Sequence, residues 1–224
     1  MKLSNETLVV LKNFANINSG ILFKQGSKLT TVSPSKTILA EATLPEDFPQ
    51  EFGIYDLNQF LSVLSLFKND AELEFDSVNL TLKSGRSKTT YRLTDKTMIV
   101  TPPNKQLALP SVDVEANISA EDYEWVIKTA NVLQSPNVAF ESDGERVVLT
   151  TFDTSNDAAH TNSLDIGEGN GKRFKLVFKT DNLKLIPGAY EVKISKAGIS
   201  QFKNTKTDIQ YWIATEASAS KFEG

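Results

Sequence analysis

In LSNETLVVLKNFANI, residues 3–17, apolar side chains recur at Leu8, Leu11 and Ala15, with Val10, Phe14 and Ile17 beside them. That i, i+3, i+7 spacing predicts a helix with one buried face. The opposite stripe, Asn5, Val9, Lys12 and Asn16, is nearly free of negative charge. Ser4 stands where an N-cap belongs, and Glu6 places an acid in the first turn. The phrase returns as ISAEDYEWVIKTANV, residues 118–132, at a constant offset of 115 (118 − 3), about half the chain. In this copy Tyr123, Val126, Ile127 and Ala130 form the predicted core face, and Glu124, Lys128 and Asn131 lie outside.

Each helix is followed by an alternating segment with a glycine at its centre, GILFKQGSKLTTV at 20–32 and NVAFESDGERVVLTTF at 137–152, which predicts two hairpins. A second helix is predicted in each half. In YDLNQFLSVLSLF, Leu57, Phe60, Leu61 and Leu64 share one side, Gln59, Ser62 and Ser65 the other, and the strand segment AELEFDSVNLTLKS follows. In FKTDNLKLIPGAYEVKIS a short helix would be stopped by Pro187 and Gly188 before a strand. The order helix, strands, helix, strands thus occurs twice. Between the halves, TPPNKQLALP at 101–110 reads as an extended connector, because its prolines exclude a central strand. The predicted fold class is α+β, with two similar domains, 1–110 (connector included) and 111–224, each carrying two helices on one face of antiparallel sheet.

Composition narrows the function. The 224 residues are 40% hydrophobic and 23% charged, without an apolar run of membrane-spanning length or an apolar block at the N-terminus that would serve as a signal peptide. A cytoplasmic protein with no membrane partner is the expectation. There is no cysteine, which excludes disulfides and thiolate chemistry. The net charge of -4 is uneven: residues 1–112 hold 12 basic and 11 acidic side chains (12 − 11 = +1), and 113–224 hold 12 and 17 (12 − 17 = −5). Nucleic acid contact must therefore come from a segregated face. The densest basic run, Lys172 to Lys184, reads first as a solvated strand and turn.

Candidate chemistry fails on spacing. GEGNGKR at 167–173 has Ile166 where a phosphate loop needs its first glycine and Arg173 where it needs Ser or Thr. DTSND at 153–157 lacks the glycine and glutamate of a calcium loop. His160, the single histidine, has no partner in sequence for a triad or a metal pair. The pattern predicts neither an enzyme nor a cofactor or metal site. Two other classes stay open on residues alone: a structural virion protein built from duplicated β-rich domains, and an enzyme using Asp153, Asp157 and Asp165.

LSNETLVVLKNFANINSGILFKQG, IYDLNQFLSVLSLFKNDAEL, VTPPNKQLALP and YWIATEA resemble, in order and spacing, the DNA polymerase sliding clamps of T4-like bacteriophages. The resemblance spans essentially the whole chain and is weakest at 74–100 and 153–175. It implies the DNA clamp fold and a closed homotrimeric ring that encircles duplex DNA without sequence preference. It also implies loading by an ATP-dependent clamp loader, tethering of the DNA polymerase and support of late transcription. Four helices per chain, each roughly 10 Å wide, would give three chains a lining of about 120 Å and a hole about 38 Å across, and two chains only about 25 Å, against about 20 Å for duplex DNA. The helical faces then make Lys12, Asn16, Lys68, Lys128, Lys179 and Lys184 the candidate DNA-facing residues. The resemblance puts partner docking near the connector, at Leu107, Leu109 and Pro110 with Tyr211 and Ile213 of the C-terminal strand, and the seam between subunits at 90–93 and 162–166.

Overall fold

The computed structural model describes residues 1–103 and 107–223. The chain divides into two compact units, Met1–Asn104 and Lys105–Gly224. The division falls inside the predicted connector, of which positions 104–106 lie outside the described residues.

The first unit begins with α1 (Asn5–Ala15), followed by β1 (Ile21–Phe23), β2 (Gly26–Val32), β3 (Ile38–Phe48) and β4 (Phe52–Ile54). Helix α2 (Leu57–Leu66) leads into β5 (Glu72–Phe75), β6 (Asn79–Ser84) and β7 (Ser87–Arg92). Helix α1 lies beside α2 and against β3, burying Leu8, Leu11 and Phe14. Helix α2 buries Leu57, Phe60 and Leu64, as its periodicity predicts. Each such side chain contributes about 1.5–3 kcal/mol on leaving water.

The 20–32 segment does not close on itself as a hairpin. Strand β1 pairs with β4, Phe23 opposite Phe52, and β2 pairs with β3, Thr30 opposite Glu41. Alternation marks a strand but does not choose its partner, and here long-range packing chooses. The Phe23 ring stacks on Phe52 at 4.5 Å and meets Phe48 at 4.7 Å, while Gly26, at φ 104, turns the chain away between the two strands.

The second unit contains β8 (Val114–Ile118), α3 (Ala120–Val132), β9 (Asn137–Asp143), β10 (Arg146–Phe152), β11 (Asn162–Glu168) and β12 (Arg173–Lys179). It continues through β13 (Tyr190–Ser195), β14 (Ile199–Asn204), β15 (Ile209–Ala214) and β16 (Lys221–Phe222). One antiparallel sheet runs β11-β10-β9-β12-β16, and β15-β14-β13-β8 form a second antiparallel set. Phe140, Phe178 and Phe202 meet edge to face between them, with Tyr190 and Tyr211 continuing the cluster. Glycine in GEGNGKR serves the backbone: a Cβ on Gly169 would sit 2.4 Å from the Gly144 carbonyl oxygen, and the Gly171 amide donates to that same oxygen at 3.0 Å.

The predicted fourth helix is corrected to a single 3-10 turn, Thr180–Leu183. Pro187 disfavours helical backbone at Ile186, which leaves too few residues to nucleate an α-helix. The backbone groups that a helix would have paired are taken up by Tyr123 of α3. Its hydroxyl lies 2.9 Å from the Leu183 carbonyl and 3.0 Å from that of Leu185, and accepts the Leu185 amide at 2.9 Å.

Burial pushes the phenols of Tyr123 and Tyr211 up, and that of Tyr190 up to about 12 from 10.0. A raised phenol stabilises the fold fully below its ordinary value, and that stability disappears as pH rises toward the folded value. The second unit should therefore hold to about pH 10 and lose its near-ultraviolet circular dichroism between there and pH 12. Tyr123→Phe, which strands the Leu183 to Leu185 backbone groups, should cost about 1–3 kcal/mol in urea unfolding at neutral pH.

Candidate nucleic-acid interface

Helix α1 is aimed by its first turn. The Ser4 hydroxyl accepts the Thr7 amide at 3.1 Å, and the Glu46 carboxylate on β3 receives both the Ser4 amide and the Thr7 hydroxyl. Helix α2 starts at Asp56, which accepts the Gln59 amide at 2.9 Å. Helix α3 starts in a capping box: Ser119 accepts from the Asp122 amide at 3.0 Å, and the Asp122 carboxylate accepts from the Ser119 amide at 3.3 Å. Each cap fixes the rotation of its helix, and the apolar face fixes which side is buried.

The sides left over are the predicted ones. Asn5, Val9, Lys12 and Asn16 of α1 are all exposed, as are Gln59, Ser62 and Ser65 of α2 and Glu124, Lys128 and Asn131 of α3. Lys68 sits just past α2 in left-handed backbone, φ 54, its amide donating to the Ser65 carbonyl at 2.9 Å. Among the described residues, Lys12, Lys68 and Lys128 make no ion pair. Lys179 and Lys184 do, with Glu216 at 3.7 Å and Asp181 at 2.7 Å, so their charge is partly spent within the chain. The pattern alone did not single out Trp125, which stands 54% exposed on α3, or Glu46. Glu46 is separated from the helix it anchors by some forty positions, and no local signal could have found it.

The partner candidates divide. Leu107 and Leu109 are half-buried and Pro110 is exposed, so all three present surface. Tyr211 and Ile213 are wholly buried, the Tyr211 hydroxyl accepting the Ile186 amide at 3.2 Å, so their side chains support the sheet from within. An alternating strand was legible around them, but not which of its faces is covered. The predicted seam stretches fall largely on β7, which reaches Arg92, and on β11; among the described residues β7 pairs only with β6 and β11 only with β10.

These surfaces can attract phosphates weakly through lysine and slide past them through Ser, Asn and Gln. They offer no reaction chemistry. Asp153 is held in a tight turn, accepting the Ser155 amide at 2.8 Å and hydroxyl at 2.7 Å, and Asp165 is clasped by Arg146 through two bonds of 2.6 and 2.7 Å. Among the described residues no group of three His, Cys, Asp or Glu side chains could hold a metal ion, and no helix is long and apolar enough to cross a membrane.

Comparison with known proteins decides between the readings left open. The family described as DNA polymerase processivity factor matches residues 4–101, and the family described as gp45 sliding clamp, C terminal, matches residues 115–217. The sliding clamp of Escherichia phage RB69 is 34% identical over 98% of this chain and 98% of its own length; that of Vibrio phage KVP40 is 33% identical over 97% and 100%. The chain belongs to the phage sliding clamp family. This clamp also shares the fold of the A. fulgidus PCNA solved with the C-terminal region of FEN-1, with a TM-score of 0.69 at 16% identity, covering 96% of each chain. The clamp is thus a processivity factor and not an enzyme, and the virion and carboxylate-enzyme alternatives are set aside.

Glu46 tests how α1 is aimed. Burial alone would raise its carboxyl, but the hydrogen bonds from Thr7 and Ser4 outweigh this and hold it below the usual 4.5. A lowered carboxyl stabilises the fold above its ordinary value, and the contribution is lost as pH falls through the folded value. Glu46→Gln should cost about 1 kcal/mol at neutral pH and flatten the acid limb of stability against pH below about 4.5, both read by chemical denaturation across pH.

Proposed function

We propose that three copies of this clamp close into a ring around duplex DNA. An ATP-driven loader opens and places the ring, which holds the replicative polymerase to its template and also serves late transcription in the host cytoplasm. The observation that carries this reading is the duplicated helix face. Asn5, Lys12 and Asn16 in one unit, and Lys128 and Asn131 in the other, are exposed polar or basic positions, with Val9 and Glu124 exposed beside them, at helices that bury their opposite sides. A topological tether needs only weak, salt-sensitive contacts of this kind. The 3-10 turn at Thr180–Leu183 takes the place of a fourth helix, so three chains supply nine α-helices and three such turns from the described residues. At about 10 Å each, twelve segments still outline a hole wider than a duplex.

Lys12, Asn16, Lys68 and Lys128 are the stronger DNA-facing candidates, and Lys179 and Lys184 act through whatever charge Glu216 and Asp181 leave them. Partner peptides would dock on the surface offered by Leu107, Leu109 and Pro110, with Tyr211 and Ile213 stiffening the sheet beneath rather than touching the peptide. The A. fulgidus structure bound to a FEN-1 C-terminal region shows a clamp of this fold carrying such a segment.

With loader and ATP, the clamp should remain on circular DNA and run off linear DNA; equal retention on both would end the ring reading. In that same assay Lys12→Glu, Lys128→Glu and Lys184→Glu together should shorten residence on circles and reduce processive synthesis by on the order of tenfold, and unchanged synthesis would remove these lysines from the interface.

A further inference from the structure

The basic run that opens at Lys172 and the short strand β16 meet in one cluster of the second unit. Strand β16 is two residues long and lies along the outer edge of β12, Phe222 opposite Phe174 and Lys221 opposite Lys175. Around these two positions the cover is irregular. The Val177 amide donates at 2.9 Å to the Ser220 hydroxyl rather than to a backbone carbonyl, and the Glu216 and Glu223 amides donate to the Val177 and Arg173 carbonyls at 2.7 and 2.9 Å. So few bonds, each contributing little net of water, are a modest hold. The Phe222 ring adds to it, stacked on the buried Phe174 ring at 6.4 Å and 15°.

The same ring carries two ammonium groups. Lys172 Nζ lies 6.0 Å and Lys196 Nζ 5.9 Å from its centroid, within reach of cation–π attraction. Lys172 arrives from the glycine turn before β12 and Lys196 from the turn between β13 and β14, yet both also reach Asp113. Lys172 Nζ donates to the Asp113 carbonyl at 2.9 Å. The Asp113 carboxylate accepts the Lys196 amide at 3.0 Å, with Lys196 Nζ at 3.9 Å, and also accepts the Ser111 hydroxyl, which lies 2.7 Å from that of Ser195. The Asp113 amide donates to the Ile194 carbonyl at 3.0 Å. Ser111 and Asp113 stand where the connector enters β8. Among the described residues Lys172 makes no ion pair, so its charge is spent on one carbonyl and one ring.

We infer that Phe222 is a positioning residue for the partner surface. By holding Lys172 and Lys196 against Asp113 it fixes the chain at the end of the connector, and so presents Leu107, Leu109 and Pro110 in a settled conformation. The inference rests on the reading of that surface as the partner site and adds what organises it in advance. A surface already ordered loses less conformational freedom on docking and binds more tightly. The simpler account is that β16 only covers an edge of β12 that would otherwise pair promiscuously. Edge covering needs no lysine at Asp113 and explains neither cation.

Hydrogen exchange of the full chain, followed amide by amide, tests this. Phe222→Leu keeps an apolar contact with Phe174 and the backbone pairing of β16 but removes the ring face. Exchange at the Asp113 and Lys196 amides should speed up by on the order of three- to tenfold, while Phe222→Trp stays near wild type. The Val177 amide, bonded to Ser220, reports whether β16 itself has come off. Lys172→Met leaves Phe222 and β16 in place, should speed the same two amides, and keeps the test decisive if Phe222→Leu also loosens Val177. Combined, the two changes should give less than the sum of their separate effects, because they break one shared contact. With loader and ATP, both variants should lower processive synthesis by on the order of threefold with retention on circular DNA unchanged. Exchange at Asp113 and Lys196 that stays at the wild-type rate in both variants overturns the inference and leaves β16 as an edge cover. Faster exchange with synthesis unchanged keeps the contact between Phe222 and Asp113 but overturns the partner reading that gives it a purpose.

Discussion

The constraint on which this structure depends is that each helix has one apolar face and must bury it on antiparallel sheet. Leu8, Leu11 and Phe14 of α1, and Phe60 and Leu64 of α2, satisfy it in the first unit, and Tyr123, Val126 and Ala130 of α3 satisfy it in the second. Once those residues are committed, the outward stripes are determined by helical geometry alone. Lys12 and Lys128 are therefore exposed as a by-product of core formation. The caps at Ser4, Asp56 and Ser119 refine the aim by fixing the point at which each helix begins.

Sheets of this kind have ends, and the ends leave backbone donors and acceptors without a strand partner. Among the described residues, strands β7 and β11 each lack a neighbour on one side. An open edge invites promiscuous pairing unless charge directs it.

Much of this was readable from the residues. The three α-helices and their buried and exposed faces follow from 3.6-residue periodicity and capping residues, all of which act within a few positions. Long-range choices were not readable. Nothing near Phe23 says that its ring stacks on Phe52 and so draws β1 to β4. Nothing near Leu183 says that a tyrosine sixty residues earlier will take its carbonyl and make an α-helix unnecessary. Tyr211 and Ile213 were placed on the right strand but on its covered side, because a strand dense in apolar residues does not reveal which face meets solvent.

The chain has two tryptophans, and the fold puts them in opposite surroundings. Trp125 stands half in water on the outer side of α3, a few residues from Lys128, while Trp212 is buried in β15. Intrinsic emission should accordingly separate into a red-shifted part open to collisional quenchers and a blue-shifted part shielded from them. The first would sense whatever approaches the α3 surface and the second the integrity of the second unit, so a single unlabelled sample can distinguish occupancy of that surface from unfolding.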